Sequence, residues 1–271
     1  MLAPGPNPGS FGAVQPWRNL DEASTPDGKL VLRQRGERDF LLTIDGRVLM
    51  SSMLHRSEDS LAKLAIERIA DRPRARVLTA GLGLGFTLRA LLDVLGRGAQ
   101  VEVAELHEPV VRWCQGPLAP INGGAASDPR VRVLPGDVMG FVRAAAREPH
   151  RRYDAIVLDL MEGPSQGRAH VNGRIYGSRA LADVRSALAP GGVYAVWGEE
   201  EDPGFLDLLM RSGFDARRVI VGKGGPKHVV YVAQPAQQRG DFLPRGGELP
   251  HGSPAPYEGG GQPPAGRRKP R

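Results

Sequence analysis

A single cysteine, Cys114, stands in 271 residues, so no disulfide can form within the chain and the composition suits a reducing compartment. With no His or Asn partner signalled beside it, that thiol reads as an inert packed group rather than a nucleophile. Aromatic residues are scarce, at 6%, and no basic block is interleaved with them. A nucleic-acid surface is therefore not expected, although the net charge is +6. Half of that charge is in the tail: from Ala233 to Arg271 six Arg/Lys stand against three Asp/Glu, a difference of +3. No apolar run approaches the ~20 residues that a membrane-spanning helix needs. The opening MLAPGPNPGSFGAV has neither a basic n-region nor an apolar h-region, so a secretory signal is not expected. These absences predict a cytoplasmic chain with no membrane partner and no nucleic-acid partner.

What the chain has in quantity is glycine and proline, concentrated at its two ends. Residues 1–28 show no hydrophobic period and read as a flexible leader. Residues 234–271 hold eight Pro and eight Gly and read as a disordered basic tail, because such a composition cannot bury enough apolar surface to offset chain entropy. The body between them opens with β signals over 29–56: KLVLRQR, RDFLLTI and RVLM, the last two joined by Asp45-Gly46. Asp-Gly between apolar runs predicts a tight hairpin. A helix follows from Ser57, with apolar residues at 61, 64, 65, 66 and 69.

From Arg76 apolar strands alternate with helical segments. The strands are RVLTA, QVEVAE, VRVLP, YDAIVLD, GGVYAVW, ARRVIV and HVVYVA. The helical segments fall near 85–95, 107–114, 137–147, 176–188 and 203–212. This pattern predicts a parallel sheet covered on both faces. The last two strands are joined by GKGGPK, too short for a helical crossover, so they should run antiparallel. The fold class is therefore α/β: residues 57–233 form a Rossmann-like sheet of the class I methyltransferase type, seven strands with the last one antiparallel, preceded by a small N-terminal β-hairpin piece.

The stretch VLTAGLGLGFTLRALL joins the first of these strands to a helix through Gly81, Gly83 and Gly85. A dinucleotide fingerprint needs its third glycine at 86, where this chain has Phe86, and no Gly-Lys-Ser/Thr follows as a phosphate loop requires. The spacing suits a nucleoside whose sugar and sulfonium arm pack against bare backbone, or a tight strand-to-helix turn with nothing bound. Glu105 ends the second strand, where an acid can accept hydrogen bonds from both ribose hydroxyls or simply be solvated. Asp137 follows the third strand, placed to meet an adenine amino group or to cap the next helix. Asp159 ends the fourth strand, where it faces the reacting end of such a ligand or caps a helix or loop. Glu162 adds a second carboxylate to the same mouth or lies in solvent. Two acids at an apolar cleft suit a cationic amine, and one can take its proton. The polar loop 163–175 has the length of a lid, with His170 an ordinary member of it.

These residues resemble the spermidine synthase-like family, built on the class I methyltransferase fold, over roughly 30–233. The resemblance implies that Gly81, Gly83 and Gly85 form its glycine-rich loop, that Glu105 binds ribose and that Gly136-Asp137 meet adenine. It implies that Asp159 is the catalytic first acid of the family's gate motif, with Glu162 in place of the second. Gly163-Pro164 and Arg174-Ile175-Tyr176 echo the residues that follow, so Tyr176 is expected to close the pocket or to lie in the core. Ser57-Glu58-Asp59 stands where the family has Tyr-[Gln/His]-Glu, and Asp59 is the match there. On this reading Asp159 orients and deprotonates an amine, polyamine-like acceptor, while Glu162 and Asp59 anchor a second cationic group. Leu84 replaces an acid of the family's glycine loop, which leaves the donor open between S-adenosylmethionine and decarboxylated S-adenosylmethionine. Transfer of a methyl or of an aminopropyl group follows accordingly, and no metal is expected. The alternatives are a conventional methyltransferase of another small molecule and a non-catalytic adenosyl-binding or assembly protein. The resemblance also implies a homo-oligomer built through the N-terminal β piece.

Overall fold

A computed structural model describes residues 15–160, 163–165, 169–222 and 227–236, all within one compact unit that ends at Ala236. Its N-terminal sheet has four strands, β1 (Arg18–Thr25), β2 (Gly28–Arg35), β3 (Asp39–Ile44) and β4 (Arg47–Ser51), antiparallel in that order. The β3–β4 turn is the predicted Asp45-Gly46 hairpin, with φ at +45° and +81°. Leu30, Leu32, Phe40, Leu42 and Ile44 bury the inner face of this sheet.

Strand β1 lies within residues 1–28, so the later part of the expected flexible leader is an ordered strand. RNLDEAST carries no apolar alternation, and most of its residues are exposed. What orders it is pairing with β2 and a bond from Trp113 Nε1–H to Asp21 Oδ2 (2.7 Å). Neither is visible as a local pattern.

The second sheet has seven strands: β5 (Arg76–Ala80), β6 (Gln100–Glu105), β7 (Val131–Pro135), β8 (Tyr153–Leu158), β9 (Leu188–Gly198), β10 (Phe214–Val221) and β11 (His228–Pro235). Their order is β10-β11-β9-β8-β5-β6-β7, parallel except for β11, which runs against both neighbours. That is the predicted methyltransferase-type sheet. The helices are α1 (Arg56–Ile66), α2 (Phe86–Val94), α3 (Glu108–Gln115), α4 (Ala119–Asn122), α5 (Val138–Arg147), α6 (Ala169–Tyr176), α7 (Ser178–Ala187) and α8 (Pro203–Arg211). One face of the sheet packs Val77, Val101, Val157, Ala195 and Val230 with α1, α2 and α3. The opposite face packs Leu78, Ala104, Ile156, Leu158 and Val196 with α5, α7 and α8. Apolar side chains are needed on both sides, which is why these strands read as near-continuous apolar runs.

Helix α6 occupies the later part of the loop expected over 163–175. AHVNGRIY mixes Asn, Gly and β-branched residues, all weak helix formers, and so leaves no helical stripe in the sequence.

Candidate active site

The parallel strands β7, β6, β5 and β8 end side by side, and backbone hydrogen bonds tie together the residues just beyond them. Gly81 N–H donates to Ala104 O (3.1 Å), Asp159 N–H to Ala80 O (3.0 Å), and Gly136 N–H to Glu105 O (2.9 Å). The residues proposed from strand ends therefore lie along one rim. Gly81 adopts φ +84°, and a Cβ there would sit 2.2 Å from the carbonyl oxygen of Asp159. Glycine is required because two chain segments cross at that point. The loop runs on to Gly85, also left-handed at φ +88°, which forms the N-cap of α2.

Glu105 is not a solvated strand-end acid. It is 7% exposed, with Oε2 accepting from Leu82 N–H (2.8 Å) and Oε1 from His107 N–H (2.9 Å). One carboxylate thus holds both the glycine loop and the turn into α3, and each of its oxygens keeps further acceptor capacity. Beneath the loop the Cys114 thiol meets Gly83 O (3.3 Å) and is fully buried. Burial and the charge of Glu105 push that thiol far up, so it is inert, as the sequence implied.

Asp159 sits at the centre of the rim on the α1–α2 side, half-buried, and accepts a short bond from the Thr87 hydroxyl at the start of α2. Burial raises its pKa from 3.8 to about 7, with the charge of Glu58 adding to the rise and the Thr87 bond opposing it. Glu58 is itself 6% exposed and accepts from Ser57 Oγ–H (2.6 Å). Among the described residues, Glu58 is therefore a second carboxyl group whose charge acts on Asp159. Asp59 turns away to His55 (3.6 Å), with 43% of its side chain exposed, so its assignment to the site is corrected. The signal was present in the sequence, since Glu58, Leu61, Ala62 and Ala65 form the buried stripe of α1 and Asp59 lies off it.

The remaining predicted residues divide. Asp137 caps α5, accepting from Met139 N–H (3.0 Å), and its other oxygen lies 4.0 Å from Arg174. Both its proposed roles are compatible with that position beside Glu105. Tyr176 is 4% exposed and packs edge-to-face with Phe205 at 5.6 Å, in the core on the opposite side of the sheet from Asp159. It is a core residue at the end of α6, and its role at the pocket is corrected. Leu84 is fully buried in the apolar layer under the glycine loop, with Asn122 Nδ2–H donating to its carbonyl (3.2 Å). Glu162 lies outside the described residues. Among the described residues, no three His, Cys, Asp or Glu cluster in a way that could hold a metal ion. No described helix is long and apolar enough to cross a membrane.

No protein-family model matches the chain. Among curated proteins it is 33% identical over 169 residues to the polyamine aminopropyltransferase of Mycobacterium tuberculosis (strain CDC 1551 / Oshkosh), covering 62% of this chain and 30% of that one. It is 29% identical over 201 residues to polyamine aminopropyltransferase 2 of Hyperthermus butylicus, covering 65% of this chain and 61% of that one. The chain therefore spans less than a third of the mycobacterial relative's length. Among solved structures it resembles spermidine synthase from Thermotoga maritima, with a TM-score of 0.61, 17% identity, and coverage of 80% and 72% of the two chains. A spermidine synthase in complex with the transition state analogue AdoDATO matches equally well, at a TM-score of 0.61. The likeness to the spermidine synthase-like family is thus borne out in sequence, and the fold in structure.

Proposed function

We propose that the chain is a transferase that moves the aminopropyl group of decarboxylated S-adenosylmethionine to the nitrogen of an amine acceptor. The observation that carries this reading is Asp159, a half-buried carboxyl beside the glycine loop whose pKa lies near 7. An aliphatic amine reaches the site as an ammonium and must lose a proton before its lone pair can act. A base poised near neutrality takes that proton most effectively.

In the reaction the amine nitrogen attacks the methylene carbon bonded to the sulfonium, in line with the breaking C–S bond. The bonding pair leaves with sulfur, which becomes a neutral thioether in methylthioadenosine. A positively charged transition state needs no oxyanion hole, so alignment and desolvation supply most of the acceleration. Gly81, Gly83 and Gly85 would let the nucleoside approach the backbone, Glu105 would accept from the ribose hydroxyls, and Asp137 would meet the adenine amino group. Glu162 keeps its proposed role as a further acid for the acceptor.

Leu84 favours a second reading, methyl transfer from intact S-adenosylmethionine, because the glycine loop offers no acid to an ammonium-ended donor arm. Glu58 weighs against it. A buried acid beside Asp159 attracts an ammonium and repels the carboxylate that the intact donor retains. Incubation of the full chain with each donor and a set of diamines, followed by chromatography of the nucleoside, separates the readings. Methylthioadenosine is the expected product. S-adenosylhomocysteine would establish methyl transfer, and the absence of both would leave a binding protein.

A further inference from the structure

The glycine loop is held from beneath by a residue that neither the strand ends nor the glycines point to. Asn122 closes α4, the short helix after α3, and is wholly buried at 0% exposed. Its side chain bonds in two directions. Oδ1 accepts from Gly124 N–H (3.1 Å) and Ala125 N–H (3.3 Å), which fixes its own turn. Nδ2–H donates across 38 residues of sequence to Leu84 O (3.2 Å), inside the glycine loop. The two segments touch closely: a Cβ on Gly85 would fall 2.7 Å from Asn122 Nδ2. Gly85 N–H in turn donates to Leu82 O (2.7 Å), so the Leu84–Gly85 peptide is bonded on both sides.

An amide in an apolar layer gives up its water, a cost that only completed hydrogen bonds offset. The bonds to Gly124 and Ala125 are local, whereas the bond to Leu84 serves the loop. Elsewhere in the loop Glu105 holds Leu82 N–H and the Cys114 thiol meets Gly83 O. A thiol is a weak donor, so Asn122 is the strong donor to these two loop carbonyls. The Leu84 side chain is buried and apolar, so this part of the loop can recognise a nucleoside by backbone shape alone. A backbone shape of that kind has to be kept within about 0.5 Å by groups behind it.

We infer that Asn122 is a positioning residue for the nucleoside of the donor. It fixes the Leu84–Gly85 peptide, and with it the surface of the loop against which the nucleoside packs. The inference rests on the transferase reading only for naming that nucleoside as the donor's, and nucleoside binding tests it without turnover.

The test is calorimetric titration of the full chain with methylthioadenosine between pH 5 and pH 8, comparing wild type with Asn122→Asp. The aspartate keeps an acceptor for Gly124 and Ala125 and loses the donor to Leu84. Burial raises the pKa of such an acid, and once protonated its hydroxyl donates to Leu84 O again. At pH 8 the variant should bind about three- to tenfold more weakly than wild type, the range that one hydrogen bond supplies. Towards pH 5 the ratio should fall back close to one. Cys114 and Glu105 beneath the loop, Arg89 against Gly123 and Asp159 at the rim are common to both proteins, so the ratio isolates position 122. Asn122→Ser, too short to reach Leu84 O, is the second variant if the first does not fold. It should weaken binding by the same factor at every pH. A residue that served stability alone would lower the melting temperature and leave the affinity ratio at one. Wild-type affinity in the variant at pH 8, a loss that does not recover at pH 5, or no binding by the wild type would overturn the inference. An overturned inference with nucleoside product still formed keeps the transferase reading. A pH-dependent loss of binding with no nucleoside product from any donor does the reverse.

Discussion

Replacing Asp159 with Asn removes a proton acceptor while leaving its bond to Thr87 possible. Product formation should fall by about 100- to 10,000-fold, the range for loss of a general base, with adenosyl binding by calorimetry within about threefold of wild type. The same variant has a signature in stability. The folded-state pKa of Asp159 lies above its ordinary value of 3.8, at about 7. Its contribution to stability is therefore complete below 3.8 and is lost as pH rises through 7. Asp159→Asn should melt at a higher temperature than wild type at pH 8, by roughly 2 kcal/mol of stability, with the difference shrinking towards pH 5. Glu58→Gln removes one of the two causes of the raised pKa, so the acidic limb of the pH–rate profile should move below 7. An unmoved limb would separate Glu58 from the base. Of this pair the sequence made Asp159 legible, as the acid ending an apolar strand. Glu58 was readable only by phase, since it falls on the buried stripe of α1 and Asp59 does not.

The β5–α2 connection depends on Gly81 and the β3–β4 hairpin on Gly46, and the two make a paired experiment. Both glycines have φ above +80°, but a Cβ at Gly46 meets nothing within 4 Å, whereas one at Gly81 meets the Asp159 carbonyl at 2.2 Å. Gly46→Ala should cost about 1 kcal/mol, the backbone term alone. Gly81→Ala should cost roughly 2–4 kcal/mol and also displace Asp159. Urea midpoints and activity, measured side by side, read out the difference. Strands and long helices were recoverable because each must repeat at a period of 2 or 3.6 to bury a face. The elements that escaped, β1 and α6, carry no such repeat: one is held by strand pairing and by Trp113, the other is short and poor in helix formers.

Exposed large apolar residues are spread over the described residues, and three of them stand close together in sequence at the end of the N-terminal sheet. Val48 on β4 is 55% exposed, and Met53 and Leu54 just after it are 57% and 62% exposed. Exposed apolar side chains grouped in this way mark an association surface, which supports the proposal of a homo-oligomer built through the N-terminal piece. Sedimentation equilibrium should report a dimer or larger assembly, and the double variant Val48→Glu, Leu54→Glu should reduce it to a monomer with its fold intact by circular dichroism. A wild-type monomer at tens of micromolar would exclude this surface.

The sequence by itself determined the α/β alternation, the reversed last strand, the glycine loop and the acids at the strand ends, because each is a local repeat or a fixed step from one. It also carried the likeness to the aminopropyltransferases, in the spacing of Gly81, Glu105, Asp137 and Asp159. Only the tertiary structure decided which acid of α1 faces Asp159, that Tyr176 belongs to the opposite core, and that Trp197 and His228 lie on the same face of the sheet as Asp159. Those facts depend on which strands lie side by side and in what register, and distant segments reach that arrangement only by burying their apolar faces together.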